Sequence, residues 1–430
     1  MRPLRAAWID YREAVSLFSR PARLLLLTEL LAWICHGIFA VAFNLYLLEG
    51  GFRESFVGQA ISLNGLGMAL ASLPAGLLAD RWGRRRCLIL GAVLDAVAQF
   101  ARATFLAPEI ILAGSFVAGV GQALLAIAAA PFMTEHSTPR ERTHLFSTFF
   151  AATLLAGVIG SILGGEIPAW LGRLGGPLRA DGLHAFRGAL WVGALLNVAA
   201  CLPLLRLGRL VEPTISHAGG GEGGTQRRRL IPIGLNAFLI GAGAGLVIPF
   251  MNLYFANRFG CSSSQIGVFF SLAAVFTAAA SLLGPAVARR FGKLRTAIAA
   301  QVLSLPFLVT LGAEDRLPIA VVAFWLRATL MQASTPLVQA FVMEALPPAL
   351  RARSASLITL VWNCGWAFSA TASGFIIQRF GYHVPFYITA VLYGTAATIF
   401  YRAFRGAPEG AKHPIPEAVD GRRGEGPVTE

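Results

Sequence analysis

Twelve runs of about 20 mostly apolar residues divide this chain, and that spacing limits its fold more than any other feature. The runs cover residues 24–48, 55–79, 87–106, 109–133, 145–167, 188–205, 231–256, 264–288, 296–313, 317–341, 355–378 and 384–404. A hydrocarbon layer about 30 Å thick is crossed by about 20 residues of α-helix. Backbone amides inside such a layer must bond within their own segment, as a helix allows. The expected fold class is an all-α membrane protein with twelve transmembrane helices. Composition agrees: 56% of residues are hydrophobic and 13% charged, against about 25% charged in soluble chains. Only Ala107-Pro108 divides spans 3 and 4.

The second constraint is duplication. Glu135 and Arg142 recur as Glu344 and Arg351, 209 residues on. Gly58 echoes as Gly267, Ser147 as Ser356 and Gly165 as Gly374, all at the same offset. Asn44-Leu45-Tyr46 returns as Asn252-Leu253-Tyr254, one residue out of phase, and Arg81-Trp82-Gly83 as Arg290-Phe291-Gly292. A long-period repeat in an apolar chain marks two related halves with a site between them. The expected organisation is an amphipathic cytoplasmic segment at 1–23 and a six-helix half at 24–206. A Gly-rich linker follows at 207–230, then a second half at 231–404 and a disordered cytoplasmic tail at 405–430.

Charge sets the orientation and excludes other classes. The net charge is +14, and most of the 36 Lys and Arg fall in loops on one side of the span map. That bias puts both termini in the cytoplasm and predicts a multi-pass protein of the cell (inner) membrane. The arginines are spread over loops rather than gathered in one stripe, so no nucleic-acid partner is expected. Neither Lys293 nor Lys412 sits in a Walker A run, which argues against ATP hydrolysis. The five cysteines are scattered and indicate neither a disulfide framework nor a metal site. No cofactor is expected.

The loop between spans 2 and 3 reads Gly76-Leu-Leu-Ala-Asp80-Arg81-Trp-Gly83-Arg84-Arg85. Here the chain resembles the major facilitator superfamily, whose best-known loop motif is Gly-x-x-x-Asp-Arg-x-Gly-Arg-Arg. An acidic group at a helix end can face a neighbouring helix N-terminus, and nearby arginines add charge-assisted bonds. The resemblance implies that Gly76, Asp80, Arg81, Gly83 and Arg84 help hold the cytoplasmic side shut. The second copy is degraded, with Arg289 at the Asp80 position and Pro285 at the Gly76 position. The Glu-x6-Arg pairs Glu135/Arg142 and Glu344/Arg351 resemble those of sugar-porter-like members, which implies an interdomain salt-bridge network at the same gate. The run Gly160-Ser161-Ile-Leu-Gly164-Gly165 is similar to an antiporter signature but has Ser where Pro is expected. Glycine pairs also simply allow close helix packing.

Ionisable and amide side chains within spans supply the candidate site. In the superfamily, helices 1, 4, 7 and 10 line the central cavity. The candidates on lining helices are Glu29, His36, Asn44, Gln122, Asn236, Asn252, Arg327 and Gln332, with Gln339 beside them and Asn363 on span 11. Glu29 and His36 lie seven residues apart, two turns along one face. His36 titrates near neutral pH and is a candidate proton carrier. Arg327 is expected to clamp an anion or to pair with Glu29. Asp95 and Arg102 fall on span 3, which the family places outside the cavity, so a structural role is expected for them. Trp362 and Trp366 are candidates for stacking on a substrate. The expected function is secondary active transport of a small solute by alternating access, coupled to protons. The solute would be a drug-like compound, sugar or organic anion. A monomer in contact with lipids and without enzymatic activity is expected. The alternative is a non-transporting receptor or scaffold on the same fold.

Overall fold

The computed structural model describes residues 18–174, 182–207, 230–345 and 348–405. The expected N-terminal segment up to residue 17, most of the linker and the tail after residue 405 lie outside the described residues. The described residues form helices with no strand. In chain order they are α1 (Arg20–Glu49), α2 (Glu54–Trp82), α3 (Arg84–Thr104), α4 (Pro108–Glu135), α5 (Pro139–Arg173) and α6 (Gly182–Leu205). The second half comprises α7 (Leu230–Phe259), α8 (Ser263–Phe291), α9 (Lys293–Ala313), α10 (Leu317–Ala345), α11 (Pro348–Phe380) and α12 (His383–Phe404).

Eleven of these are long and apolar enough to cross a bilayer. The twelfth, α2, bends by 49° between Ser72 and Pro74, and its two arms together complete the set. A proline inside a helix removes one backbone bond and crowds the preceding turn, so a bend at Pro74 has a local cause. α7 is interrupted by a 3-10 turn at Ile248–Phe250, with Pro249 inside it. The expected break at Ala107-Pro108 is where α3 and α4 part. Helix starts follow familiar chemistry. Ser19 accepts from the Ala22 amide, while Thr138/Glu141 and Ser262/Gln265 form reciprocal capping boxes. Large apolar side chains such as Leu70, Trp170, Phe368 and Val391 point outward and are more than half exposed, as a lipid-facing surface requires.

The duplication appears as matching packing. In the first half α1 packs on α5 and α6, α2 on α4, and α3 on α4 and α6. In the second, α7 packs on α11 and α12, α8 on α10, and α9 on α10 and α12. Tyr46 donates to the Ala103 carbonyl (3.5 Å) and Tyr254 to the Leu311 carbonyl (2.7 Å), each 57 residues onward. The halves meet along α2–α11 and α5–α8.

These seams are tightest at the face away from the chain termini. There a methyl group added to Gly58 would stand 2.5 Å from the Ala370 carbonyl oxygen, and one on Gly267 would stand 2.6 Å from that of Ser161. One on Gly374 would meet the Glu54 oxygen at 2.4 Å, and one on Gly165 the Ser263 oxygen at 2.4 Å. Each contact is its counterpart shifted by 209 residues. In the same region Ser62 donates to the Ala367 carbonyl and Thr371 to Ser62. Burial, then the neighbouring Glu54 carboxylate, pushes the Tyr382 phenol above its ordinary value, and Asn257 donates to it at 2.8 Å. Along α5–α8 the contact continues to Ser271, which donates to the Val158 carbonyl at 3.1 Å, whereas nearer the terminal face a methyl on Gly76 would meet nothing within 4 Å.

Candidate functional site

A cavity of about 410 Å³ opens between the halves. α1 contributes Trp33, His36, Phe39, Phe43 and Asn44, and α2 contributes Ala60, Ile61 and Asn64. Gln99 and Arg102 come from α3 and Gln122 from α4, while Ile248, Pro249, Phe270 and Trp366 close the side belonging to the second half. Such a volume suits a small organic ligand.

Behind this wall lies a saturated carboxylate. Asp95 is fully buried. Its Oδ2 lies 3.0 Å from His36 Nε2 and accepts from Asn197 at 2.8 Å. Its Oδ1 accepts from Gln122 at 3.1 Å and from Gln99 at 3.2 Å. The Gln99 carbonyl in turn accepts from Arg102, whose second amino group donates to Ser115 Oγ at 3.2 Å. The Arg102 guanidinium lies over the rings of Phe43 (4.8 Å) and Phe39 (5.5 Å). Four helices therefore converge on one acid: α1, α3, α4 and α6. The His36 side chain is 25% exposed, so it touches both the cavity and the buried acid.

This corrects the expectation that α3 stands outside the site, since Gln99 and Arg102 line the cavity. Asp95 and Arg102 do not pair directly: the Gln99 amide lies between them. Asp95, Gln99 and Arg102 occupy positions i, i+4 and i+7, one polar stripe on the apolar part of α3 that follows Arg84-Arg85-Arg86, and that spacing was the available signal.

The other candidates divide by location. Asn44 donates to the Pro249 carbonyl (2.6 Å) and to Asn252 Oδ1 (3.1 Å). Asn252 donates to the carbonyls of Val41 (3.0 Å) and Ala40 (3.3 Å). The two copies of the repeated tripeptide thus meet across the halves. Glu29 is buried on α1. Arg327 is buried against α12, where it donates to the Tyr393 hydroxyl at 3.2 Å. It is not brought to Glu29, nor does it line the cavity described here. Asn363 spends its amide on the Thr359 carbonyl of its own helix (2.8 Å). Asn236 is buried with its Oδ1 unbonded. Gln332 and Gln339 are exposed. Trp362 and Trp366 stack at 5.1 Å, and Trp366 reaches the cavity.

At the terminal face Arg84 is the hub. It pairs with Glu135 at the end of α4 and stands 3.9 Å from Asp80, one turn back. The loop motif and the first Glu-x6-Arg pair are thereby joined within one half. Arg142 does not take up Glu135. It donates to the carbonyls of Thr134 and Ser137 (3.1 Å each) and so caps the end of α4. Arg81 is exposed. Gly83 has φ 91° and ψ 147°, and its echo Gly292 has φ 89° and ψ 152°. The turn is duplicated even though the acid is not. The side chains of Glu344, Arg351 and Pro285 lie outside the described residues. Among the described residues no group of three His, Cys, Asp or Glu is arranged to hold a metal.

The family profile of the Major Facilitator Superfamily matches residues 25–232 and 233–427. An uncharacterized MFS-type transporter of Burkholderia mallei is 26% identical over 359 residues, covering 80% of this chain and 82% of that one. The multidrug resistance protein MdtL of Klebsiella pneumoniae is 32% identical over 114 residues, which span 26% of this chain and 29% of that protein. The crystal structure of the nucleoside transporter NupG superposes with a TM-score of 0.71 at 15% identity, covering 90% of this chain and 100% of that one. At that identity the likeness speaks to the fold alone. With two family matches that divide the chain at the same place as its repeat, this protein belongs to the Major Facilitator Superfamily.

Proposed function

We propose that the protein is a proton-coupled secondary transporter of a small organic solute, working by alternating access. One observation carries the reading: His36 stands between the cavity and a buried carboxylate, 3.0 Å from Asp95 and partly open to the cavity. Histidine changes charge near neutral pH. A group that reaches solvent on one side and a buried acid on the other is suited to take up a proton and stabilise it. Midplane ionisable groups of this kind mark proton relays in membrane proteins. Close backbone approach between the halves at the far face, at Gly58, Gly165, Gly267 and Gly374, with open space beside Gly76 toward the terminal face, fits one end state of an alternating-access cycle. The side bias of Lys and Arg puts the termini in the cytoplasm of a bacterial inner membrane, so this state faces inward.

The test is reconstitution into liposomes with an imposed proton gradient, followed by uptake across a compound panel. Accumulation of at least one solute should collapse when an ionophore dissipates the gradient. His36→Asn should retain exchange of that solute while losing its dependence on the gradient. Uptake equal with and without the gradient would remove the coupling.

A further inference from the structure

We infer that the cavity takes an organic monoanion with a planar apolar body, its oxyanion group held by Arg102. The inference rests on the reading above only in treating this cavity as the solute site. Arg102 is 6% exposed and lines the cavity. A guanidinium carries five N–H donors. Two contacts are made, to Gln99 and Ser115, and the Nε donor has no partner.

Among the described residues no carboxylate stands at contact distance from this cation. Asp95 is the nearest carboxylate on α3, but its two oxygens already accept from Gln99, Gln122 and Asn197 and contact His36. The Gln99 amide separates the two charges. Glu29 and Cys35, the ionisable groups of α1 beside His36, do not line the cavity. A buried cation without a counter-ion is costly in a membrane interior, and an incoming oxyanion relieves that cost. Guanidinium geometry suits a carboxylate or a similar oxyanion.

The walls specify the rest of the ligand. Trp33, Phe39, Phe43, Phe270 and Trp366 supply five rings. Phe39 and Phe43 already cover faces of the guanidinium, which leaves its donor edge for an anion. An organic cation finds the opposite environment, since no carboxylate lines the cavity. A protonated His36 adds a second positive group on the same wall, so anion and proton favour each other's binding.

Phenylacetate, phenylacetamide and phenethylamine share one ring and differ in charge, so they isolate the oxyanion requirement. The full-length purified protein is titrated with each, and with 2-naphthylacetate and its amide, by calorimetry and thermal shift. We expect the carboxylates to bind at least tenfold more tightly than their amides, and the amine not to bind. Arg102→Gln should erase that preference, and Arg102→Lys should restore part of it. If Arg102→Gln does not fold, the wild-type series decides alone. Equal binding of amide and carboxylate, stronger binding of the amine, or no binding of either carboxylate in the millimolar range would overturn the inference. Gradient-driven transport of neutral or cationic solutes in a protein that ignores these carboxylates would overturn it too, while leaving the transport reading intact. Arg102-dependent carboxylate binding in a protein that moves no solute would uphold the inference and remove that reading.

Discussion

Asp95 gathers contacts from His36, Gln99, Gln122 and Asn197 around two oxygens, and this fixes what its replacement would do. Asparagine has the same shape but turns one oxygen into a donor. That donor would face at least one N–H with no lone pair to offer it. Each buried donor left unpaired costs about 1–3 kcal/mol, so Asp95→Asn should lower the melting temperature by several degrees in detergent. It should also abolish gradient-driven accumulation, because His36 would lose the charge that stabilises its protonated form. A variant as stable as the wild type would contradict the network as drawn. The stripe at Asp95, Gln99 and Arg102 was legible as i, i+4, i+7 spacing. Its orientation was not, because a polar stripe says which face turns from lipid and not whether that face meets a neighbouring helix or a cavity. The same ambiguity explains Arg327. Its depth near the middle of α10 was readable, whereas its rotation toward Tyr393 on α12 depends on packing.

Helices show which repeated residues are structural. Gly58, Gly165, Gly267 and Gly374 were visible as echoes, and their common reason is the approach of backbones across α2–α11 and α5–α8. Gly160 and Gly164 serve α5 likewise, where added methyls would meet the carbonyl oxygens of Ile34 at 2.3 Å and Ile38 at 2.8 Å. The antiporter-like run is thus a packing surface, as small residues in membrane helices often are. Gly58→Val and Gly267→Val should each wedge the far face open by similar amounts, because their contacts are symmetry mates. Spin labels at Phe52 and Tyr382 in a cysteine-free background should report a longer distance in both variants. An unchanged distance would mean that the seam yields without opening. The loop glycines act differently. Gly83 and Gly292 hold backbone angles almost confined to glycine, and forcing a side chain there costs about 1–3 kcal/mol. Gly83→Ala and Gly292→Ala should therefore lower stability alike, measured by thermal unfolding. Asp80→Asn should leave stability near wild type and slow cycling, since Asp80 is a third exposed and 3.9 Å from Arg84.

At the scale of the whole molecule, the proposed alternating-access cycle has two six-helix bundles exchange one closed face for the other, so every bond across the closed face would set an equilibrium as well as a structure. The twelve-span architecture was legible because membrane thickness fixes helix length, and the duplication because both copies keep the same seams. The clasp between Asn44 and Asn252 was legible only as two halves of a repeat. Nothing in either tripeptide says that they meet, since the meeting depends on how the bundles are docked. Four hydrogen bonds cross there, and Pro249 offers its carbonyl from the 3-10 turn that interrupts α7. A net contribution of about 0.5–1.5 kcal/mol per bond makes the clasp worth more than tenfold in the ratio of the two states, since each 1.4 kcal/mol is about a factor of ten. Asn44→Ala breaks two of these bonds, and Asn252→Ala breaks three because the Asn44–Asn252 bond is shared. The double variant should shift the population no further than the four bonds allow, so the single effects should sum to more than the double effect. The reporter is again the distance between labels at Phe52 and Tyr382, measured for the wild type, both single variants and the double. A longer distance with that non-additivity is the expected result. Strict additivity would mean that the two asparagines act apart, each on its own helix, and that the closed face is held by the glycine seams alone.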